Sequence, residues 1–233
     1  MAIRMRIDRL TSVACPFKMF KCLLWLLPFL CVQSAFSLFD VTVDSGYMSS
    51  TLTNTYIGSA AAADGNGYIV NGAAHINFSP SEILRLGIGP DFAYGSQSLK
   101  FPNSTGTTNI QKAQRIGVDA YLLVEVVPVV KPFLRARMGK EWLTNTNSGT
   151  VSGQTAELVT EYGSIYYDLL LGASYPIFDI FSAYVQFGAT GSLQSQTTMK
   201  SYTVGGVAQA TPFTPQTYFY SGFMASLGVM LSF

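Results

Sequence analysis

The sequence predicts an all-β chain that forms an eight-stranded antiparallel up-and-down transmembrane β-barrel. Of the 233 residues, 48% are hydrophobic and only 12% are charged, whereas a soluble domain carries about 25% charged residues. The longest continuously apolar stretch, residues 22–32, is too short for a membrane-spanning helix, which needs about 20 residues. A closed barrel is the other structure that satisfies every backbone group inside a bilayer.

Alternation with a period of two supports this fold class. From residue 38 onward, apolar side chains occupy one parity of each stretch, and polar, small or charged side chains occupy the other. This pattern is typical of a strand with one face toward lipid and the other toward a lumen. An even number of such stretches suits an antiparallel bacterial barrel. The eight predicted strands cover residues 39–47, 68–78, 84–94, 115–125, 134–142, 166–175, 181–190 and 218–233.

The fifth stretch is the least regular. Lys140 falls on its apolar parity and Phe133 falls on its polar parity. Two explanations remain open: the Lys140 ammonium reaches the membrane interface while its stem stays in lipid, or a bulge shifts the phase of the strand.

The connections alternate between long and short. Long polar links at residues 49–66, 96–110, 143–163 and 193–216 are rich in Ser, Thr, Asn and Gly, so we expect four long extracellular loops. The short links at residues 79–81, 127–132 and 176–179 contain proline, which suits periplasmic turns because it has no amide hydrogen to give to a strand ladder.

Aromatic residues of the outward parity cluster at both ends of the strands, which predicts two interfacial girdles. A soluble β-sandwich also alternates, but it does not place rings at both ends of its apolar face. The predicted girdle near the long links contains Tyr47, Tyr68, Tyr94, Trp142, Tyr167 and Phe219, and the one near the short links contains Phe39, Phe78, Tyr175, Phe181 and Phe233.

Residues 1–37 have the features of a secretory signal peptide: basic residues, an apolar run, and the small residues Ala35 and Ser37. We therefore expect export and a mature chain that begins at Leu38. Lipidation at Cys31 is the alternative. The translation start is left open between Met1, Met5 and Met19.

Removal of this leader leaves nine Lys and Arg against twelve Asp and Glu, a net charge of −3. All cysteines leave with it, so we expect no disulfide, thiolate metal site or cysteine nucleophile in the mature chain. There is no basic run to support binding to nucleic acid. We expect no cofactor and no metal.

The inward parity carries charges of both signs, and charges buried in a narrow lumen must pair. Counting back from the turn at residues 127–132 places Glu125 opposite Arg135, with Arg85 at a similar depth. We therefore expect a network centred on Glu125, Arg85, Arg135 and Arg137, either as a plug or as the lining of a narrow polar path. The predicted inward charges are Asp40, Asp44, Arg85, Asp91, Arg115, Asp119, Glu125, Arg135, Arg137, Glu141 and Asp168.

His75, the sole histidine in the sequence, shares the inward parity with Asn71 and Asn77. A hydrolase would need a serine nucleophile beside it. The nearest candidate, Ser79, lies at the strand end in poor geometry. We therefore expect His75 to belong to the lumen network, and we expect no enzymatic activity. A lipid A-modifying enzyme is the least favoured alternative.

The last strand is similar to the C-terminal signal of bacterial outer-membrane proteins. In that class the signal is read by the barrel-assembly machinery, so the resemblance implies this machinery as a partner during biogenesis. The residues that carry the resemblance are Phe223, Leu227, Val229, Leu231 and Phe233.

The run at residues 131–134, leading to Gly139, resembles the fifth-strand region of the OmpW-like and OmpA-transmembrane-domain class of small eight-stranded barrels. This resemblance of pattern covers residues 38–233. It implies the outer membrane of a Gram-negative-type cell, with outer-membrane lipid and lipopolysaccharide as surroundings.

Two functions follow. The favoured one is a structural or surface-interaction protein that acts through its long loops. The alternative, implied by the OmpW-like resemblance, is a narrow channel for small or hydrophobic solutes. Such a channel needs an apolar funnel, and the inward apolar residues Ile69, Leu123 and Met224 are few.

Overall fold

The fold is seen in a computed structural model that describes residues 38–56, 59–101, 107–126, 129–210 and 214–233, with the backbone alone for 54–56 and 59–61. The predicted signal peptide and its cleavage site lie outside the described residues. No helix in the described ranges is long and apolar enough to span a membrane.

Most described residues belong to β-strands, as the alternating sequence predicts. The strands are β1 (Phe39–Tyr56), β2 (Ser59–Ser81), β3 (Leu84–Lys100), β4 (Thr108–Val124), β5 (Lys131–Val151), β6 (Gln154–Phe178), β7 (Phe181–Ser192), β8 (Ser195–Gln196), β9 (Thr198–Val204), β10 (Val207–Ala208) and β11 (Thr217–Ser232).

In the described part of the chain, eight long strands close into an antiparallel ring. From β1 to β7 each strand pairs with the next, and β11 pairs with both β7 and β1. The closing pair runs from Asp40 opposite Ser232 to Thr55 opposite Thr217. The predicted eight-stranded up-and-down barrel is therefore confirmed.

The two parities face opposite sides of the barrel wall. The apolar parity is exposed on the outside, where Leu169 and Leu171 of β6 and Phe187 of β7 form part of an apolar belt. Aromatic residues of the predicted girdles, including Trp142 and Tyr175, are also exposed there. The polar parity is buried in the lumen. This division is the one required of a barrel whose outer face meets hydrocarbon.

The irregular fifth strand has an uninterrupted register with both neighbours, so the bulge considered for it is wrong. Lys140 lies on the outer surface, whereas Phe133 is buried in the lumen. The Phe133 ring occupies the space above Gly172, where a Cβ would lie 2.2 Å from Phe133 Cζ. Tyr184 covers Gly228 in the same way, at 2.4 Å.

Residues 49–66, 96–110 and 143–163, predicted as loops, are mostly strand, and this prediction is wrong. β5 and β6 continue to a tight turn at Ser152 and Gly153, whose φ angles of 52° and 81° suit the hairpin turn in which both central residues have positive φ. Beyond the bilayer a paired strand needs no apolar outer face, so polar Thr- and Ser-rich segments also form strands.

The remaining link, residues 193–216, adds short strands to the same sheet. β9 pairs with β6, and β10 pairs with β9 across a turn at Gly205 and Gly206. β6 contains 25 residues, whereas about 9–11 tilted residues cross a bilayer. The sheet therefore extends well past the apolar belt at the end of the barrel opposite the short turns, which we call the loop end.

We expect Leu171→Arg to lower the stability of the folded barrel in lipid vesicles by about 2–4 kcal/mol, because Leu171, 56% exposed, lies between the two girdles. Val207→Arg is the matched control, since Val207 is 63% exposed in β10, beyond the belt. Equilibrium urea unfolding measures both changes. Equal effects of the two substitutions would contradict the assignment of the belt to lipid.

Candidate functional site: the charged lumen

The lumen contains buried charges from β1 to β6, and they fall into groups along the barrel axis. For the described residues we distinguish a turn-side network (Asp40, Arg85, Glu125 and Lys131), a central network (Asp44, His75, Asp119, Arg135 and Arg137) and a loop-side network (Asp91, Arg115, Glu141 and Asp168).

The central network is built on Asp119 of β4. Its carboxylate accepts from Arg135 Nε at 3.1 Å and from Arg137 Nε at 3.4 Å, both on the neighbouring strand β5. His75 Nε2 lies 3.2 Å from the same carboxylate. All these side chains are almost fully buried. Burying charges is tolerated when each one is paired and hydrogen-bonded, and here one carboxylate accepts from two guanidinium groups.

Arg137 also reaches across the lumen. Its Nη2 donates to Asp44 Oδ2 at 2.7 Å, and Asp44 is on β1, four places from β5 in the ring of eight described strands. Arg135 makes a similar crossing to Thr42 Oγ1, at 2.7 Å. Asn71 and Tyr184 donate to the Asp44 carboxylate at 2.7 and 3.0 Å. The central network thus joins opposite walls of the barrel.

The turn-side network holds Glu125, which sequence analysis places opposite Arg135. That register is wrong, because Arg135 pairs with Tyr121. Glu125 instead contacts Arg85 at 3.1 Å and Lys131 at 3.0 Å. The predicted centre on Glu125 is therefore wrong as well, since Arg135 and Arg137 belong to the central network.

Tyr121 lies between the turn-side network and the central network. Its hydroxyl donates to the carboxylate of Asp40, which lies 3.8 Å from Arg85 Nη1. The Tyr121 ring meets the His75 ring edge-on, with the centroids 4.9 Å apart. A phenol therefore separates the turn-side and central networks while contacting both.

The loop-side network is centred on Arg115 of β4. Arg115 Nε donates to Glu141 at 3.2 Å, and Nη1 lies 3.5 Å from Asp168. Arg115 Nη2 donates to the hydroxyl of Tyr220, which donates to Glu141 at 2.9 Å. Tyr220 belongs to β11, which is opposite β4 in the described ring. A second network thus crosses the lumen.

Asp91 joins the loop-side network through an aromatic residue. Tyr166 donates to Asp91 at 2.7 Å, and the Arg115 guanidinium lies 4.8 Å from the centroid of the Tyr166 ring. Among the described residues this network sets one guanidinium against three carboxylates. It therefore has an excess of carboxylates over guanidinium groups, whereas the central network has two of each.

Apolar layers alternate with the charged networks. At the loop end, Leu52, Leu99 and Leu143 pack with Tyr162 and Tyr220. Farther in, the predicted inward residues Ile69 and Met224 pack with Met48 and Leu170. Near the short turns, the predicted inward residue Leu123 packs with Tyr121, Phe133, Tyr184 and Met230.

The histidine and the serine considered as its partner in the sequence lie in different surroundings. His75 is fully buried and faces Asp119, whereas Ser79 is exposed near the end of β2. Neither ring nitrogen of His75 has a hydrogen-bond partner among the described residues. Within the described ranges there is no group of three or more His, Cys, Asp or Glu arranged to hold a metal ion.

Four uncharged polar residues complete the networks and are not predicted from the sequence. Thr42, Tyr184, Gln186 and Tyr220 all contact an arginine in the lumen. Their inward parity is visible in the sequence. Which arginine each one meets is not visible, because these contacts join strands that are distant along the chain.

No protein-family model and no curated protein sequence matches the chain. Solved structures do match. The outer membrane protease OmpT from Escherichia coli superposes with a TM-score of 0.55 at 9% identity, over 87% of this chain and 99% of that one. At this identity the likeness concerns the fold. The fold is that of an outer-membrane β-barrel.

Two further solved structures are similar at lower scores. Neisserial surface protein A has a TM-score of 0.39 and 19% identity, over 84% of this chain and 98% of that one. The attachment invasion locus protein Ail of Yersinia pestis has a TM-score of 0.40 and 11% identity, over 82% and 98%.

The closed strand ring and its apolar belt have the form that a protein needs to span the outer membrane, and the matching fold is an outer-membrane fold. The chain thus has the fold of an outer-membrane barrel, with charged networks in its lumen. Its outer surface is suited to lipid, and the ion pairs of the central and loop-side networks are buried.

We expect Asp119→Ala to lower the free energy of unfolding by about 3–5 kcal/mol, because it leaves Arg135 and Arg137 short of a buried partner. Glu161→Ala is the control. It breaks the exposed Lys200–Glu161 pair, whose side chains are 60% and 41% exposed, and should cost about 0.2–1 kcal/mol. Urea unfolding in vesicles distinguishes them, and similar losses for both would contradict the central role of Asp119.

Proposed function

We propose that this protein is a non-enzymatic outer-membrane barrel with a lumen closed to ions, and that it acts as a structural or surface-interaction protein through the sheet at its loop end. The observation that carries the proposal is the pair of hydrogen-bonded crossings of the lumen, from Arg137 to Asp44 and from Arg115 to Tyr220. Each joins strands on opposite sides of the described ring.

The size of the barrel supports closure. An eight-stranded barrel has an interior just wide enough for side chains to fill. Here arginine and tyrosine side chains extend into that interior at two depths, and both are almost completely buried. An ion passing through would have to separate the guanidinium of Arg137 from its carboxylates, and stranding a buried charge costs about 3–5 kcal/mol.

The surroundings of His75 support the absence of enzymatic activity. A general base has to come within hydrogen-bonding distance of its substrate. The His75 ring is enclosed by Tyr121 and Asp119 and has no exposed surface. The name of OmpT describes that protein as a protease, but 9% identity transfers no activity to this chain.

The loop end supports the surface role. Its hairpins are strands paired by backbone hydrogen bonds, and β9 and β10 widen the sheet beside β6. A paired sheet holds its exposed side chains in fixed positions, so a partner can bind without first ordering a loop. The exposed residues of this sheet are mainly small polar side chains, with Val151 and Val207 as exposed apolar ones.

A second candidate function is a path for small hydrophobic solutes. The observation in its favour is the apolar layer at the loop end of the lumen, formed by Leu52, Leu99 and Leu143. These residues are packed against one another and almost fully buried. Entry of a solute would therefore require this layer to open.

Planar-bilayer recording tests the closed lumen. We expect almost no current through the wild type. The double substitution Asp44→Ala with Arg137→Ala removes a crossing without changing the net charge, and we expect it to open a measurable current. Lys200→Ala with Glu161→Ala is the control. It removes an ion pair from the outer surface, also without changing the net charge, and should leave the current unchanged.

A large steady current through the wild type would overturn the closed lumen and favour the channel. A double lumen variant that folds normally and conducts no better than the wild type would show that the crossing from Arg137 to Asp44 is not what closes the lumen. Uptake of a hydrophobic dye into vesicles by the wild type, above that of protein-free vesicles, would favour the second candidate.

A further inference from the structure

A groove of about 810 Å³ opens on the outer wall of the barrel at the loop-side girdle. It lies where β9 joins the edge of β6. Its floor includes Gly163, where an added Cβ would have no heavy atom closer than 3.7 Å. Residues that line it include Tyr94, Lys112, Trp142, Glu161, Gly163 and Lys200.

Most lysines of the barrel lie around this groove. Residues 38–233 contain five lysines. Lys112 and Lys200 line the groove, and the Lys140 ammonium is 5.3 Å from the centroid of the Trp142 ring at its edge. The four arginines of residues 38–233 are all in the lumen. The basic side chains of the outer surface are therefore concentrated at this place.

The protein neutralises only part of the positive charge at the groove. Lys200 pairs with Glu161 at 2.5 Å. Lys112 and Lys140 have no carboxylate within ion-pair distance among the described residues, and both are exposed. Two ammonium groups are thus available to an anion.

The wall next to the groove is apolar. In the strand register Lys140 lies between Ile116 on β4 and Ile165 on β6, and both isoleucines are exposed in the belt. Trp142 and Tyr94 mark the boundary between hydrocarbon and headgroups, where such rings concentrate. The site therefore combines ammonium groups at headgroup depth with an apolar surface leading into the membrane.

We propose that the groove binds a phosphorylated, multiply acylated glycolipid of the outer leaflet, the class to which lipopolysaccharide belongs. Lys112 and Lys140 donate to its phosphate oxygens, and its acyl chains lie on Ile116 and Ile165. Gln114 and Thr144, which also line the groove, are positioned to bond sugar hydroxyls. This inference goes beyond the proposed function and does not depend on a closed lumen.

The test uses the full mature barrel in phosphatidylethanolamine vesicles that contain lipopolysaccharide. The protein is extracted in mild detergent, and native mass spectrometry counts the retained glycolipid. We expect the wild type to retain it, and retention to fall about fivefold for each lysine removed in Lys112→Gln and Lys140→Gln. Gly163→Leu, which obstructs the floor but keeps every charge, should also lower retention.

Lys100→Gln is the matched control, because Lys100 is exposed at the same end of the barrel but does not line the groove. The heat-modifiable band confirms that each variant is folded. Two further lipids define the chemistry: the same glycolipid stripped of its phosphates, and phosphatidylglycerol. Excess inorganic phosphate tests whether the site takes the free ion, and we expect it not to displace the lipid.

Several outcomes would overturn the inference. One is wild-type retention by the double lysine variant, or a loss no larger than that of Lys100→Gln. Another is equal retention of the dephosphorylated glycolipid, which would remove the role of phosphate. Equal retention of phosphatidylglycerol, or displacement by inorganic phosphate, would remove the glycolipid as the ligand. Bilayer conductance is measured separately, so failure here leaves the proposed lumen closure unaffected.

Discussion

Pairing between β1 and β11 is the constraint on which the rest of this structure depends. In hydrocarbon, each unpaired backbone group at a strand edge costs several kcal/mol, and closing the ring removes both edges. Closure also divides every strand into a lipid face and a lumen face. Asp44 on β1 can meet Arg137 on β5 because the two strands then face each other across the lumen. The apolar belt and the charged interior are thus two results of the same backbone pairing.

The charged interior is stable only as a set. Each buried ion loses its hydration, and the loss is offset when partners satisfy both its charge and its hydrogen bonds. In the central network, Asp44 and Asp119 pair with Arg135 and Arg137 and offset their charges. Because these bonds cross the lumen, the residues that hold the walls together are also those to which we attribute the proposed closure. Under that proposal, stability and closure depend on the same side chains.

Strand parity could be predicted from the sequence because a period of two needs no knowledge of which strands are neighbours. That is why Asp119 and Arg137 were correctly assigned to the lumen. The strand register could not be predicted in the same way, because it depends on where each turn begins. The partner of Arg135 is Tyr121, four residues before the predicted partner Glu125. The groove was also missed, because Lys200 lies on β9, within polar sequence that carries no alternation. Such segments form strands by pairing, and pairing is not a local property.

The glycines under aromatic rings constrain how this chain can evolve. Phe133 covers Gly172, Tyr184 covers Gly228, and the two rings meet edge-on with centroids 5.7 Å apart. A larger residue at either glycine would collide with a ring that already touches the other ring. An added Cβ would also lie 2.6 Å from the backbone oxygen of Val185 at Gly172 and 2.7 Å from Asp44 Cβ at Gly228, so a smaller ring alone would not make room for it. Across homologues both positions should therefore stay glycine, even where the aromatic residues above them change.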